Sequence, residues 1–265
     1  MIKKAAILTA VAVAWGFLGT ASEALATKKV YSPIVHKGEL EIEARGSYDF
    51  DTRDEKDGKQ EQKYAVGYGV TDFWFTEVYG EVKKTPEELE EGSEESPEKK
   101  WEFESVEWEN RFQLAEQGEW WIDTGLYFAY EFAAKHKDPD KIEVKLLLEK
   151  QLGDFVHTAN LIVEREIGGE TADDEEKEPH EWEGSVAWST RYRWQQWLEP
   201  GIEVWFDLGE LKKIHSFNEQ NDQIGPVIYG KIGDHVKYDV GYLFGISEEA
   251  PAGTLKWIVE FEWYF

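Results

Sequence analysis

Leu255-Lys256-Trp257-Ile258-Val259-Glu260-Phe261-Glu262-Trp263-Tyr264-Phe265 decides the fold class. Leu255, Trp257, Val259, Phe261, Trp263 and Phe265 fall on one parity, and Lys256, Glu260 and Glu262 on the other. Successive side chains of a strand point to opposite faces, so this segment has one apolar face and one charged face. The apolar face is aromatic and runs to the last residue. In water it would be an aggregation-prone surface. Against lipid it is a membrane-facing strand with interfacial aromatics.

The same period-two alternation recurs in twelve segments, near 38–50, 62–70, 73–82, 101–114, 120–132, 142–152, 155–167, 181–194, 201–209, 223–232, 236–246 and 254–265. Connections after even segments are short, as at Thr71-Asp72, Gly153-Asp154 and Gly233–His235. Those after odd segments are longer and polar, as at Asp51–Glu61, Lys83–Lys100 and Gly168–His180. Outer-membrane barrels have short periplasmic turns and longer outer loops. The pattern predicts an all-β fold over residues 38–265: a transmembrane, antiparallel up-and-down β-barrel of 12 strands. Trp74, Trp120, Trp121, Trp194, Trp197 and Trp263 fall at the short-turn ends, and Trp101 and Trp182 at the long-loop ends. Two such girdles mark the two membrane interfaces.

The N-terminus agrees with that address. Lys3 and Lys4 precede an apolar run from Ala5 to Leu18, and Ala24-Leu25-Ala26 fits a cleavage site. Residues 1–26 read as a signal peptide, too short in its apolar run to span a bilayer. Residues 27–37 are then expected as a periplasmic N-terminal segment, and the protein in the bacterial outer membrane. With no cysteine, thiol chemistry is excluded. A net charge of −26 excludes a nucleic-acid binder, which needs a basic footprint.

The terminal strand resembles the C-terminal strand of bacterial outer-membrane barrels, whose last Phe is part of the signal read by the barrel-assembly machinery. Tyr68-Gly69-Val70-Thr71-Asp72 resembles the Y-G-[VLI]-T-D segment of the meta-pathway phenol-degradation transporter family, and Gly241-Tyr242-Leu243-Phe244-Gly245 is similar to a second stretch of it. The resemblance implies an outer-membrane passive channel or transporter. Its motifs make turns and strand ends, so no catalytic or ligand residue is carried across.

The inward parity is strongly acidic. The lumen and selectivity candidates are Glu43, Glu77, Asp123, Glu131, Glu203, Asp207 and Glu260, with Arg111 and Arg191 as constriction partners. Acidic walls favour cations, so the leading expectation is passage of small, cation-preferring solutes. Its expected partners are outer-membrane lipid and lipopolysaccharide, the assembly machinery and the solutes themselves. A second reading is a plugged structural or binding barrel. Its acidic outer loops, Glu87 to Glu98 and Glu170 to Glu181, would gather Ca²⁺ or Mg²⁺. No other cofactor is expected and the metal ligands are left unassigned, because the six histidines lack metal-ligand spacing. A third reading is a lipid-modifying enzyme. It would need a cross-strand meeting such as His157 with Ser185 or Ser189; no catalytic residue is assigned.

Overall fold

The computed structural model describes residues 28–85, 100–169 and 181–265. The expected signal peptide and most of the two acidic loops lie outside the described residues. Twelve strands are present among those described: β1 (Glu39–Phe50), β2 (Gln60–Gly69), β3 (Trp74–Thr85), β4 (Lys100–Gln113), β5 (Asp123–Ala133), β6 (Asp140–Leu152), β7 (Phe155–Ile167), β8 (Glu183–Tyr192), β9 (Glu199–Glu210), β10 (Gln223–Ile232), β11 (Val236–Gly245) and β12 (Gly253–Tyr264). Each pairs antiparallel with its neighbours in sequence, and β1 pairs with β12 to close the barrel. That last seam runs unbroken from Glu39 opposite Tyr264 to Phe50 opposite Gly253. Closure leaves no edge strand, so the ladder satisfies the backbone polar groups without help from water.

The pleat sorts side chains as the alternation requires. In β2, Tyr64, Val66 and Tyr68 face out while Ala65, Gly67 and Gly69 are buried. The usual arrangement of a water-soluble domain is inverted: Val66 on the outer wall is 57% exposed, whereas Glu43 on the inner wall is 1% exposed. Val78, Leu126, Leu161, Ile228 and Val240 continue the apolar outer belt. Trp74, Trp121, Trp194 and Trp197 lie where strands meet short turns, and Trp101 and Trp182 lie by the long loops.

The N-terminal segment is where the chain departs from expectation. Residues 28–36, expected on the periplasmic side, run inside the barrel, with Tyr31 2% and Val35 5% exposed. The segment turns back at Gly38, whose N–H donates to the Gly69 carbonyl at 2.8 Å. From there it climbs towards the long-loop end.

At that end the loop after β1 grips the loop after β11, across the closing seam. Asp51 accepts from Arg53 Nε at 2.8 Å and from the Ala252 N–H at 2.9 Å. Arg53 also donates to the Glu248 and Ala250 carbonyls, each at 2.6 Å.

Two outcomes follow from this architecture. Leu161 sits midway along β7 between Leu146 and Val186. Leu161→Arg should destabilise the barrel in phospholipid vesicles by about 2–4 kcal/mol, the scale for a cation at the bilayer midplane, measured by urea unfolding followed by Trp fluorescence. The Asp51 carboxyl is held well below its ordinary range, mainly by the Arg53 side chain. A depressed carboxylate stabilises the fold above its ordinary pKa of about 4 and loses that contribution as pH falls through its lowered value. Asp51→Asn should therefore speed exchange of the Ala252 amide at pH 7, and the gap from wild type should narrow below about pH 4.

Candidate functional site

The lumen is built from inward carboxylates that find cations across the barrel. Lys63 of β2 lies 2.7 Å from Glu107 of β4 and 3.2 Å from Glu81 of β3. Lys256 of β12 lies 2.9 Å from Glu203 of β9 and 3.3 Å from Asp239 of β11. Lys231 and Lys237 both pair with Glu262. Arg45 of β1 lies 3.4 Å from both Glu43 and Glu109. A charge taken out of water is tolerated only with such partners.

The inserted segment sits amid these pairs. Tyr31 is its anchor. Its N–H donates to Asn160 Oδ1 at 2.8 Å, and Asn160 Nδ2 donates back to the Tyr31 carbonyl at 2.9 Å. Its hydroxyl donates to Glu109 at 2.9 Å and accepts from Arg45 Nη1 at 2.7 Å. Its ring packs against Tyr127, centroids 5.0 Å apart. Val35 N–H donates to Gln113 Oε1 at 2.8 Å. Lys28 donates to Gln223 Oε1, and Lys29 pairs with Glu43, with Glu260 at 2.7 Å and with Glu41 at 3.5 Å. No main-chain hydrogen bond joins residues 28–35 to a strand among the described residues. The segment is held through side chains of the wall and is not a thirteenth strand.

Two glycines shape the wall for it. A Cβ on Gly69 would meet the His36 carbonyl oxygen at 1.9 Å, and one on Gly125 would meet Pro33 Cβ at 2.9 Å. Only a residue without a side chain allows so close an approach.

The segment divides the lumen. Towards the long loops lies a cavity of about 70 Å³ lined in part by Tyr31, Lys63, Glu107 and Glu131. Towards the short turns lies one of about 520 Å³ lined in part by Ser32, Ile34, Arg111, Arg191, Glu199 and Lys237.

The sequence candidates scatter over this space. Glu43 and Glu260 converge on Lys29, and Glu77 stands beside Glu43. Arg111 stands nearby, its guanidinium 4.3 Å from the Phe75 ring centroid. Glu203 lies across the barrel and also accepts from Tyr229 at 2.7 Å and Trp205 at 3.1 Å. Arg191 faces the larger cavity and lies 3.6 Å from Glu199. Glu131 lines the smaller one. Asp123 stands at the short-turn end, where it accepts from the Gly118 N–H at 2.6 Å. Asp207 stands at the long-loop end and caps the Gly209 N–H at 2.9 Å. Those last two fasten turns at the rims. Lys28, Lys29, Tyr31, Gln113 and Asn160 escaped the sequence reading as site residues; an inward Asn in mid-strand and two inward glycines were the available signals.

Two trios of carboxylates come close enough to hold an ion: Glu39, Glu41 and Glu262, and Glu41, Glu43 and Glu77. In each, one oxygen per residue lies within 4.8 Å of the others. His157 does not meet Ser185 or Ser189. It lies on the outer face, stacked with Trp188 at 6.0 Å, while both serines are buried on the inner face.

No family model and no curated relative matches the chain. It is similar to a solved bacterial polysaccharide outer membrane secretin at 9% identity and a TM-score of 0.39, over 87% of this chain and 99% of that one. It is similar also to the outer membrane phospholipase A from Escherichia coli at 9% identity and a TM-score of 0.41, over 86% of this chain and 93% of that one. Neither likeness bears on function.

Asn160→Ala removes both bonds that hold the Tyr31 backbone. The loss should amount to about 1–3 kcal/mol of local stability, visible as exchange of the Tyr31 amide about ten-fold faster or more while strand amides are unchanged.

Proposed function

We propose that this barrel spans a bacterial outer membrane and forms a passive, cation-preferring path for small solutes that its own N-terminal segment holds shut. The apolar outer belt flanked by Trp supports the membrane reading, since a closed barrel is the one non-helical structure that leaves no backbone group unpaired in lipid. An acidic interior supports the cation preference: among the described residues, twelve buried Asp and Glu face seven buried Lys and Arg. The observation that carries the closing role is the attachment of residues 28–35. Every anchor described for them is made through a side chain, so the segment can leave without opening the β ladder.

The resemblance to the meta-pathway phenol-degradation transporter family belongs to this proposal as kinship of fold and passive transport, with no aromatic substrate attached. Glu43, Glu77 and Glu260 are the selectivity residues of the opened path, because Glu43 and Glu260 hold the cation that the segment inserts and Glu77 stands beside Glu43. Glu131 and Glu203 line the walls above and across from them.

Planar-bilayer recording under a KCl gradient tests the reading. Wild type should conduct rarely or in brief openings. A variant lacking residues 27–35, shown folded by heat-modifiable gel mobility, should conduct steadily with a cation-biased reversal potential. Equal, steady conductance in both would remove the segment's closing role, and silence in both would remove the channel.

A further inference from the structure

Glu77 departs from the pairing rule of the lumen and keeps one oxygen unmet. It is 2% exposed, yet no cation lies within 4 Å of it among the described residues. Its Oε2 accepts from the Tyr79 hydroxyl at 2.7 Å, and its Oε1 has no hydrogen-bond partner. The space beside that oxygen is kept by Gly67, which pairs with Glu77 across the β2–β3 ladder; a Cβ there would come within 3.1 Å of Oε1. An ionised carboxylate buried with an orphan oxygen is costly unless something positive meets it.

Glu41 and Glu43 extend the vacancy in hydrogen bonding. Their Oε1 atoms are also buried without hydrogen-bond partners, although Lys29 lies 3.5 Å from the first and Arg45 Nε 3.4 Å from the second. One oxygen from each of Glu41, Glu43 and Glu77 lies within 4.8 Å of the other two. Oxygens bound to a single Ca²⁺ at about 2.3–2.6 Å are at most about 5 Å apart, and calcium takes six to eight oxygen ligands from flexible carboxylates while magnesium is reluctant to shed its waters. An all-carboxylate trio within that span suits calcium.

We propose that Glu41, Glu43 and Glu77 form a calcium site, and that Lys29 of the inserted segment is a tethered cation competing for it. Lys29 already rests on Glu43 and reaches towards Glu41 and Glu260. One ammonium offsets a single charge of the three-carboxylate trio, and it leaves the Glu77 oxygen unmet. A divalent ion drawn in among the three displaces Lys29 and loosens the segment, so external calcium and the closed lumen oppose one another. This coupling to opening rests on the closing role of residues 28–36 proposed above; the site itself does not.

Isothermal titration of the full-length, detergent-folded barrel with CaCl₂ tests the site without reading conductance. Its failure is therefore distinct from failure of the channel. Lys29→Gln should bind calcium about 5- to 100-fold more tightly than wild type, the range of ordinary coupling between competing ligands. Glu77→Gln, and Glu41→Gln as a second variant, should abolish that binding and leave only the weak heats of acidic loops. MgCl₂ should bind more weakly than CaCl₂ to Lys29→Gln. Isotherms that coincide for wild type, Lys29→Gln and Glu77→Gln, all shown folded by heat-modifiable mobility, would overturn the proposal.

Discussion

A buried carboxylate must meet a positive charge or a donor, and in this barrel the carboxylates outnumber the cations of the wall. Among the described residues, twelve acids are buried against seven bases, and one of those seven, Lys28, belongs to the inserted segment. The strands supply Arg45, Lys63 and Lys256, each stretched towards carboxylates of neighbouring or facing strands, and Lys145, which pairs with Glu143 of its own strand. Lys29 adds a further cation where Glu41, Glu43 and Glu260 crowd together. The segment thus adds positive charge where the carboxylates of the wall outnumber its cations. Its ion pairs act together with the hydrogen bonds of Tyr31 and Val35 in place of a β ladder.

The same strands answer two opposite solvents. Their outer faces carry Val, Leu, Ile and aromatic residues, which lipid accepts at no cost. Their inner faces carry charge and a few planar rings. Tyr31, Tyr79, Tyr127 and Phe75 are buried inside and stack beneath guanidinium and ammonium groups, as Arg45 does on Tyr79 at 4.4 Å and Lys145 on Tyr127 at 4.2 Å. Such rings stabilise cations without adding negative charge. Tyr31 and Tyr127 also line the smaller cavity, on the long-loop side of the segment.

The fold was legible because parity is a local property. Tyr64 against Ala65, or Trp257 against Lys256, declares its face within two residues, and short turns such as Gly153-Asp154 mark the strand ends. The lumen contents were not legible to the same degree. Residues 28–36 show no period of two, and their partners are distant in the chain: Asn160 is 129 residues from Tyr31 and Gln223 is 195 from Lys28. Parity placed Glu43, Glu77 and Glu260 on the inner wall. It could not say that Glu43 and Glu260 share one cation while Glu77 has none in contact, nor that Asp123 and Asp207 serve turns at the rims. Height along the barrel depends on register and shear, which face patterns do not encode.

The claim on which the account depends is that residues 28–36 occupy the lumen of the folded barrel. A photo-crosslinking side chain in place of Tyr31, activated in the vesicle-embedded protein and mapped by mass spectrometry, tests it most directly. The account predicts adducts on the inner wall around Tyr127, Lys145 and Asn160. Adducts confined to residues outside the lumen, or none in a barrel shown to be folded, would contradict it.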